Sequence, residues 1–220
     1  MKITINVPKD LSEITLEQYQ RFEKINTKEN QETNFLLHKT VEIFCNLDLK
    51  DIATIRVSSI KKVLDKINNV FSQKTKFIPS FNLKGKEYGF IPKLDDITLG
   101  EYIDLDENFS DWKNMHKAMA VLYRPVTFRR KDKYLIEEYN GDEAAETMKA
   151  MPLDIVLGAM VFFYRLSDEL LETTLNYLKR EAPTQINTTV LADLEKSGDG
   201  CNLFMASVRE MLPVSKMLLK

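Results

Sequence analysis

The residues best suited to acid–base, nucleophilic or metal chemistry are few and scattered. The two histidines, His38 and His116, and the two cysteines, Cys45 and Cys201, have no His or Cys partner three or four residues away. A zinc site needs several such ligands at recognisable spacing, so no metal is expected. Asp104-x-Asp106-x-Asn108 opens like a calcium loop, but Phe109 stands where the tight turn requires Gly and Met115 where the bidentate Glu belongs. Neither a phosphate-cradling glycine loop nor a nucleophile elbow is present. The acidic pairs Asp95–Asp96 and Asp104/Asp106 are accounted for as helix-entry acids at the positive end of a helix dipole. The two cysteines, each within an apolar helical pattern, read as buried free thiols. No enzyme and no cofactor are expected from these residues.

The most concentrated basic feature is Arg129, Arg130, Lys131 and Lys133, between Val126–Phe128 and Tyr134–Ile136. It reads as a hairpin-like excursion or an exposed loop, and is the one place where nucleic acid or an acidic partner would touch. The overall charge, 31 basic against 33 acidic residues, argues against a protein that coats a duplex, which needs a surplus of cations. Lys61, Lys62, Asp65 and Lys66 read as the solvated side of a helix. A second candidate contact is apolar. Leu203, Phe204, Val208, Met211 and Leu212, followed by Met217 and Leu218, line a C-terminal stretch that would dock in a partner's groove, as amphipathic helices do, or fold back on its own body.

The elements that must position these groups follow from capping and periodicity. Thr98 and Glu101 form a capping box before Tyr102, Ile103 and Leu105, and Thr15 and Gln18 do the same near the N-terminus. The two junctions, Val7–Tyr19 and Ile91–Tyr102, align with one extra residue in the first, each an extended segment, Pro-Lys, a short acidic turn and a helix. Duplication would explain this, as would one good junction used twice.

Ile3, Ile5 and Val7 alternate as a strand would. Helices are expected over Leu16–Ile25, Asn34–Asn46 and Leu47–Ile55. Another, capped by Ser58 or Ser59, carries the stripe Ile60, Val63, Leu64, Ile67, Val70 and Phe71. Phe77–Leu83 and Glu87–Ile91 flank a three-residue connection, Lys84–Lys86, and predict a hairpin. Ser110 or Asp111 opens a helix through Trp112, Met115, Met119 and Leu122 that Pro125 stops. Asp142 caps a short helix, and Pro152 begins one that runs to about Arg180 and starts as the apolar core helix.

At 220 residues with 44% apolar and 29% charged, the expectation is an α+β, mainly helical body with a small antiparallel sheet of about three strands. Amphipathic helices cover the sheet, because so small a sheet needs cover. The body spans residues 1–178, a polar linker 179–200 and a helical arm 201–220. The N-terminus lacks a signal-peptide core, and the longest apolar run, Ile155–Tyr164, is too short to span a bilayer. A soluble compartment and no membrane partner are expected.

A strand leading into ITLEQYQRF, then a helix ending VEIFCNLDLKDIATIRVSSIKKVLDKI, resembles tail assembly chaperones and related small structural proteins of tailed bacteriophages over Ile3–Phe71. The resemblance implies a non-enzymatic structural or assembly component of a tail or connector. Its partners would be other phage proteins or copies of itself, in the host cytoplasm during assembly and in the virion where it is retained. The chain continues past the usual chaperone length with a second ITL unit and a C-terminal arm, which favours a permanent component over a transient chaperone.

Overall fold

A computed structural model describes residues 5–30, 33–163 and 165–166. In chain order the elements are α1 (Leu16–Glu23), α2 (Asn34–Cys45), α3 (Leu49–Ile52), α4 (Val57–Phe71), β1 (Ser80–Leu83), β2 (Lys86–Phe90), α5 (Leu99–Phe109), α6 (Met115–Leu122), β3 (Tyr123–Arg130), β4 (Lys133–Ile136) and α7 (Asp142–Met148). A further helix, α8, occupies residues 153–163. The protein is thus α+β and mainly helical, with one antiparallel sheet of four strands in the order β1-β2-β3-β4. The linker 179–200 and arm 201–220 lie outside the described residues.

The two matching junctions fold alike. Each approaches through a 3-10 turn, Leu11–Glu13 or Leu94–Asp96, and enters a helix through a complete capping box at Thr15/Gln18 or Thr98/Glu101. The hydroxyl takes an otherwise orphaned amide, and the N3 side chain returns to the cap's own N–H. At the first junction the backbone is also tied to the start of α8. Leu16 N–H donates to Met151 O at 2.8 Å and Leu153 N–H to Ile14 O at 2.8 Å. α1 and α8 therefore start from one shared point.

Around it, α1, α2 and α4 bury the predicted stripes: Ile60, Val63, Leu64, Ile67 and Val70 all face inward on α4. Tyr19 meets Trp112 edge-on at 4.6 Å, while Phe22, Phe44 and Phe71 follow at 5.2–5.3 Å between neighbours. Such pairs add to the area term when offset or edge-to-face. On the sheet side, Phe77, Phe90, Phe162 and Tyr123 make a second aromatic group. Tyr123 is fully buried and spends its hydroxyl on Ile78 O at 2.8 Å.

Several boundaries differ from the sequence reading. Residues 5–8 are not in a strand, and the sheet draws all four of its strands from the two hairpins. The connection between β1 and β2 is the two-residue turn Lys84–Gly85, with Leu83 paired to Lys86 and both turn residues at positive φ. This is the primed geometry that matches strand twist, and Gly85 makes it affordable. Neither Ser58 nor Ser59 caps α4; Arg56 sits there without a side-chain bond. Gly141, rather than Asp142, precedes α7, and Asn114 precedes α6, leaving Trp112 in the turn before it. Pro125 does not stop α6. The chain passes straight from Leu122 into β3, and Pro125 lies within that strand opposite Tyr88.

α8 is buried along Leu153, Ile155, Val156, Ala159 and Met160, as its apolar sequence requires. At Gly158 it crosses the chain so closely that a β-carbon there would collide with the backbone carbonyl of Lys76. Backbone cannot yield as a side-chain tip would, so Gly158→Ala is expected to destabilise the protein by about 1–3 kcal/mol, the usual cost of overpacking. Urea unfolding of the full chain, with unchanged m-value, measures it; a loss below about 0.5 kcal/mol would show that this crossing does not constrain α8.

Candidate functional site

Glu101 is the N3 residue of α5, and its two carboxylate oxygens do different work. Oε2 accepts from Thr98 N–H at 2.7 Å and from Thr98 Oγ1 at 3.0 Å. Oε1 meets an Arg124 terminal nitrogen at 2.6 Å, with the side chains 8% and 10% exposed. Arg124 completes its fork on Val121 O at 3.1 Å and Glu137 O at 3.4 Å, and lies 5.8 Å from the centre of the Tyr139 ring. A buried pair is tolerable only when its remaining donors and acceptors are met in this way. The result pins the entry of α5 to the first residues of β3 and to the end of β4.

From that base the β3–β4 hairpin extends past β2. Only Tyr123–Pro125 pair with β2, whereas Val126–Arg130 pair with β4, across an irregularity between Val126 and Phe128. The register puts Arg129 opposite Tyr134, and on the other face Phe128 opposite Leu135 and Arg130 opposite Lys133. The Arg129/Tyr134 face folds onto β1 and β2. Arg129 bonds Glu87 at 2.6 Å and Ser80 Oγ at 2.9 Å and stacks 5.0 Å from the Tyr134 ring, whose hydroxyl donates to Phe90 O at 2.7 Å. That ring lies directly over Gly89, where any β-carbon would strike it. Burial raises the Tyr134 phenol from its ordinary value, the largest influence on it.

The opposite face of the hairpin is open to solvent and apolar. Leu135 is 62% exposed, and Phe128 beside it is also exposed. Arg130, Lys131 and Lys133 surround the tip, with Asp132 in the turn. Between this hairpin and α5 lies a cleft of about 1320 Å³ whose walls include Phe77, Phe90, Phe162, Ile97, Tyr134 and Leu135, with Glu101 and Arg124 within it. The outer stripe of α5 is the second open apolar surface: Leu99, 74% exposed, with Tyr102 and Ile103.

Of the predicted contacts, Arg129, Arg130, Lys131 and Lys133 are thus brought together on one hairpin, the first of the two forms expected, but Arg129 lies on the face toward β1 and β2, where it is exposed and already paired with Glu87. Leu203, Phe204, Val208, Met211, Leu212, Met217 and Leu218 lie outside the described residues. Asp104-x-Asp106-x-Asn108 is helical in α5, where Asn108 Nδ2 donates to Asp104 O and Asp104 accepts from Tyr139. No cluster of three or more potential metal ligands occurs among the described residues, and no helix there is long and apolar enough to cross a membrane. Sequence reasoning missed the Glu101–Arg124 pair and the open Phe128/Leu135 face. Glu101 was visible as a cap, but nothing local announces a partner 23 positions away.

No protein family, no curated protein and no solved structure matches this chain.

Two outcomes test the site. Glu101→Ala leaves a buried guanidinium unpaired and uncaps α5, and should cost about 3–5 kcal/mol in denaturant unfolding, whereas replacing both partners by apolar residues, Glu101→Leu with Arg124→Met, should recover most of it. A double variant as unstable as the single would show that the loss is the cap alone. Cys45 is buried and its thiol is pushed up by that burial to about 11. At pH 8 roughly one thiol in a thousand is then ionised, so in a Cys201→Ser background Cys45 should label with a thiol reagent only upon unfolding; rapid labelling of the folded chain would refute its burial.

Proposed function

We propose that this chain is a non-enzymatic structural or assembly component of a tailed-phage particle, in the tail or connector region, acting through protein–protein contacts. The observation that carries this reading is the open Phe128/Leu135 face on a hairpin whose other face is fixed by Arg129, Tyr134 and Glu87. Exposed apolar patches rimmed by polar residues mark surfaces that another protein covers. The phage setting comes from the resemblance across Ile3–Phe71; of that pattern the helices α1 to α4 are present in order, whereas residues 5–8 form no strand and no small polar residue caps α4. Three titratable side chains of the cleft are engaged in holding the fold, Glu101 with Arg124 and Tyr134 with Phe90 O, which favours a binding role over catalysis.

A transient chaperone role is the nearest alternative. A nucleic-acid role for Arg129, Arg130, Lys131 and Lys133 is less favoured, since Arg129 is neutralised by Glu87 and two apolar side chains share the face of the others. Steep weakening with salt is the mark that role would show.

Peptide mass spectrometry of finished particles and of assembly intermediates, from the phage whose genome encodes the chain, separates these readings. Retention in finished particles is expected. Presence in intermediates alone would assign the chaperone role, and absence from both would overturn the phage reading.

A further inference from the structure

Both open surfaces belong to the same chain and are opposite in character. On α5 the stripe Leu99, Tyr102, Ile103, Asp106 and Glu107 follows i, i+3, i+4, i+7 and i+8, so the apolar residues and the two exposed acids lie on one face. On the hairpin, Phe128 and Leu135 share a face with Arg130 and Lys133. One surface is apolar with an acidic end, the other apolar with a basic end. Together they hold five of the eight large hydrophobic side chains that stand exposed among the described residues.

The acids are also misplaced for the helix they sit on. Asp106 and Glu107 occupy the last turn of α5, which has no basic residue. Negative charge at that end opposes the helix dipole by about 0.3–1 kcal/mol each. A local rule broken without gain to the chain itself is expected where another contact uses the residues.

From this complementarity we infer that the α5 face of one copy receives the β3–β4 hairpin of a second copy, Phe128 and Leu135 lying on Leu99, Tyr102 and Ile103, and Arg130 and Lys133 meeting Asp106 and Glu107. Lys133 and Leu135 of the hairpin surface line the cleft, and Thr98 and Glu101, which neighbour the α5 stripe in sequence, line it from α5. A twofold arrangement makes the contact twice; a head-to-tail arrangement makes it once per copy and gives a ring where the rotation closes and a filament where it does not. The inference deepens the interaction role proposed above and rests on it, naming the partner as the chain itself.

Charge exchange between the two surfaces tests it with the full-length chain. Asp106→Lys with Glu107→Lys suits the dipole of α5, and Arg130→Glu with Lys133→Glu leaves the anchoring Arg129 in place, so both variants should fold, as circular dichroism and urea unfolding would verify. In sedimentation velocity at up to roughly 100 μM, the wild type should associate and each variant alone should weaken at least about tenfold, as like charges face each other. A mixture of the two variants, in which each basic α5 meets an acidic hairpin and each acidic α5 a basic hairpin, should regain the association. Phe128→Ser with Leu135→Ser should abolish it in every background.

A wild type that stays monomeric, an association indifferent to the reversals, or a loss that the mixture does not restore would each overturn the self-pairing. None of these touches the particle measurement, so the broader role can stand where self-pairing fails. Conversely, a chain absent from particles and intermediates that still shows the exchange pattern would keep the pairing and lose the phage setting.

Discussion

The described structure turns on the carboxylate of Glu101. With one oxygen it closes the entry of α5, and with the other it holds Arg124, which in turn reaches Val121 O and Glu137 O. The start of α5, the junction where α6 runs into β3, and the residue that follows β4 are thereby fixed to one another by a single side chain and its partner. Desolvating two charges is costly, and the pair is tolerated because nearly every polar atom on it is used. Its contribution is in placement: with Glu101 and Arg124 set, the angle between α5 and the hairpin, and hence the shape of the cleft between them, follows.

At the other end of the chain the backbone does similar work without charge. The exchange between Ile14–Leu16 and Met151–Leu153 lets two helices 130-odd residues apart share a start point, and α8 carries Phe162 into the sheet-side aromatic group. Close packing then needs small residues where elements cross. Gly158 against Lys76 and Gly89 beneath Tyr134 supply that clearance. These positions are glycine for lack of space; Gly85 serves a turn that demands positive φ.

Much of this was legible in sequence wherever the determinant is local. Both capping boxes, the buried stripe of α4, the apolar start of α8 and the first hairpin follow from spacing of three, four or two and from turn chemistry. What was not legible depends on pairing at a distance. The N-terminal alternation of Ile5 and Val7 has the period of a strand, but the sheet is already complete from two hairpins, and residues 5–8 pack on the core without joining it. Pro125 reads as a stop, yet it lies in β3 next to the irregularity between Val126 and Phe128, the kind of place where a strand accommodates a residue without an N–H. The four basic residues look equivalent in a row; only the strand register, with its irregularity between Val126 and Phe128, puts Arg129 on the face toward Glu87 and Arg130 and Lys133 on the other.

That same register explains how a two-stranded hairpin keeps an apolar face in solvent. Alone it would be marginal, and an edge strand with an exposed Leu135 and Phe128 invites indiscriminate pairing. Here the face toward β1 and β2 supplies the missing stability through Arg129, Glu87, Ser80 and Tyr134, while β4 is four residues long, begins at Lys133 and is preceded in the turn by Lys131. The strands that carry the outer side chains are therefore held in position before any contact forms. A partner that covers them loses little further freedom on binding, which is the condition under which a modest surface gives a specific contact. The constraint that begins at Glu101 thus ends in a rigid, charged and apolar face, and the specificity of whatever covers it is set by which charges that face presents.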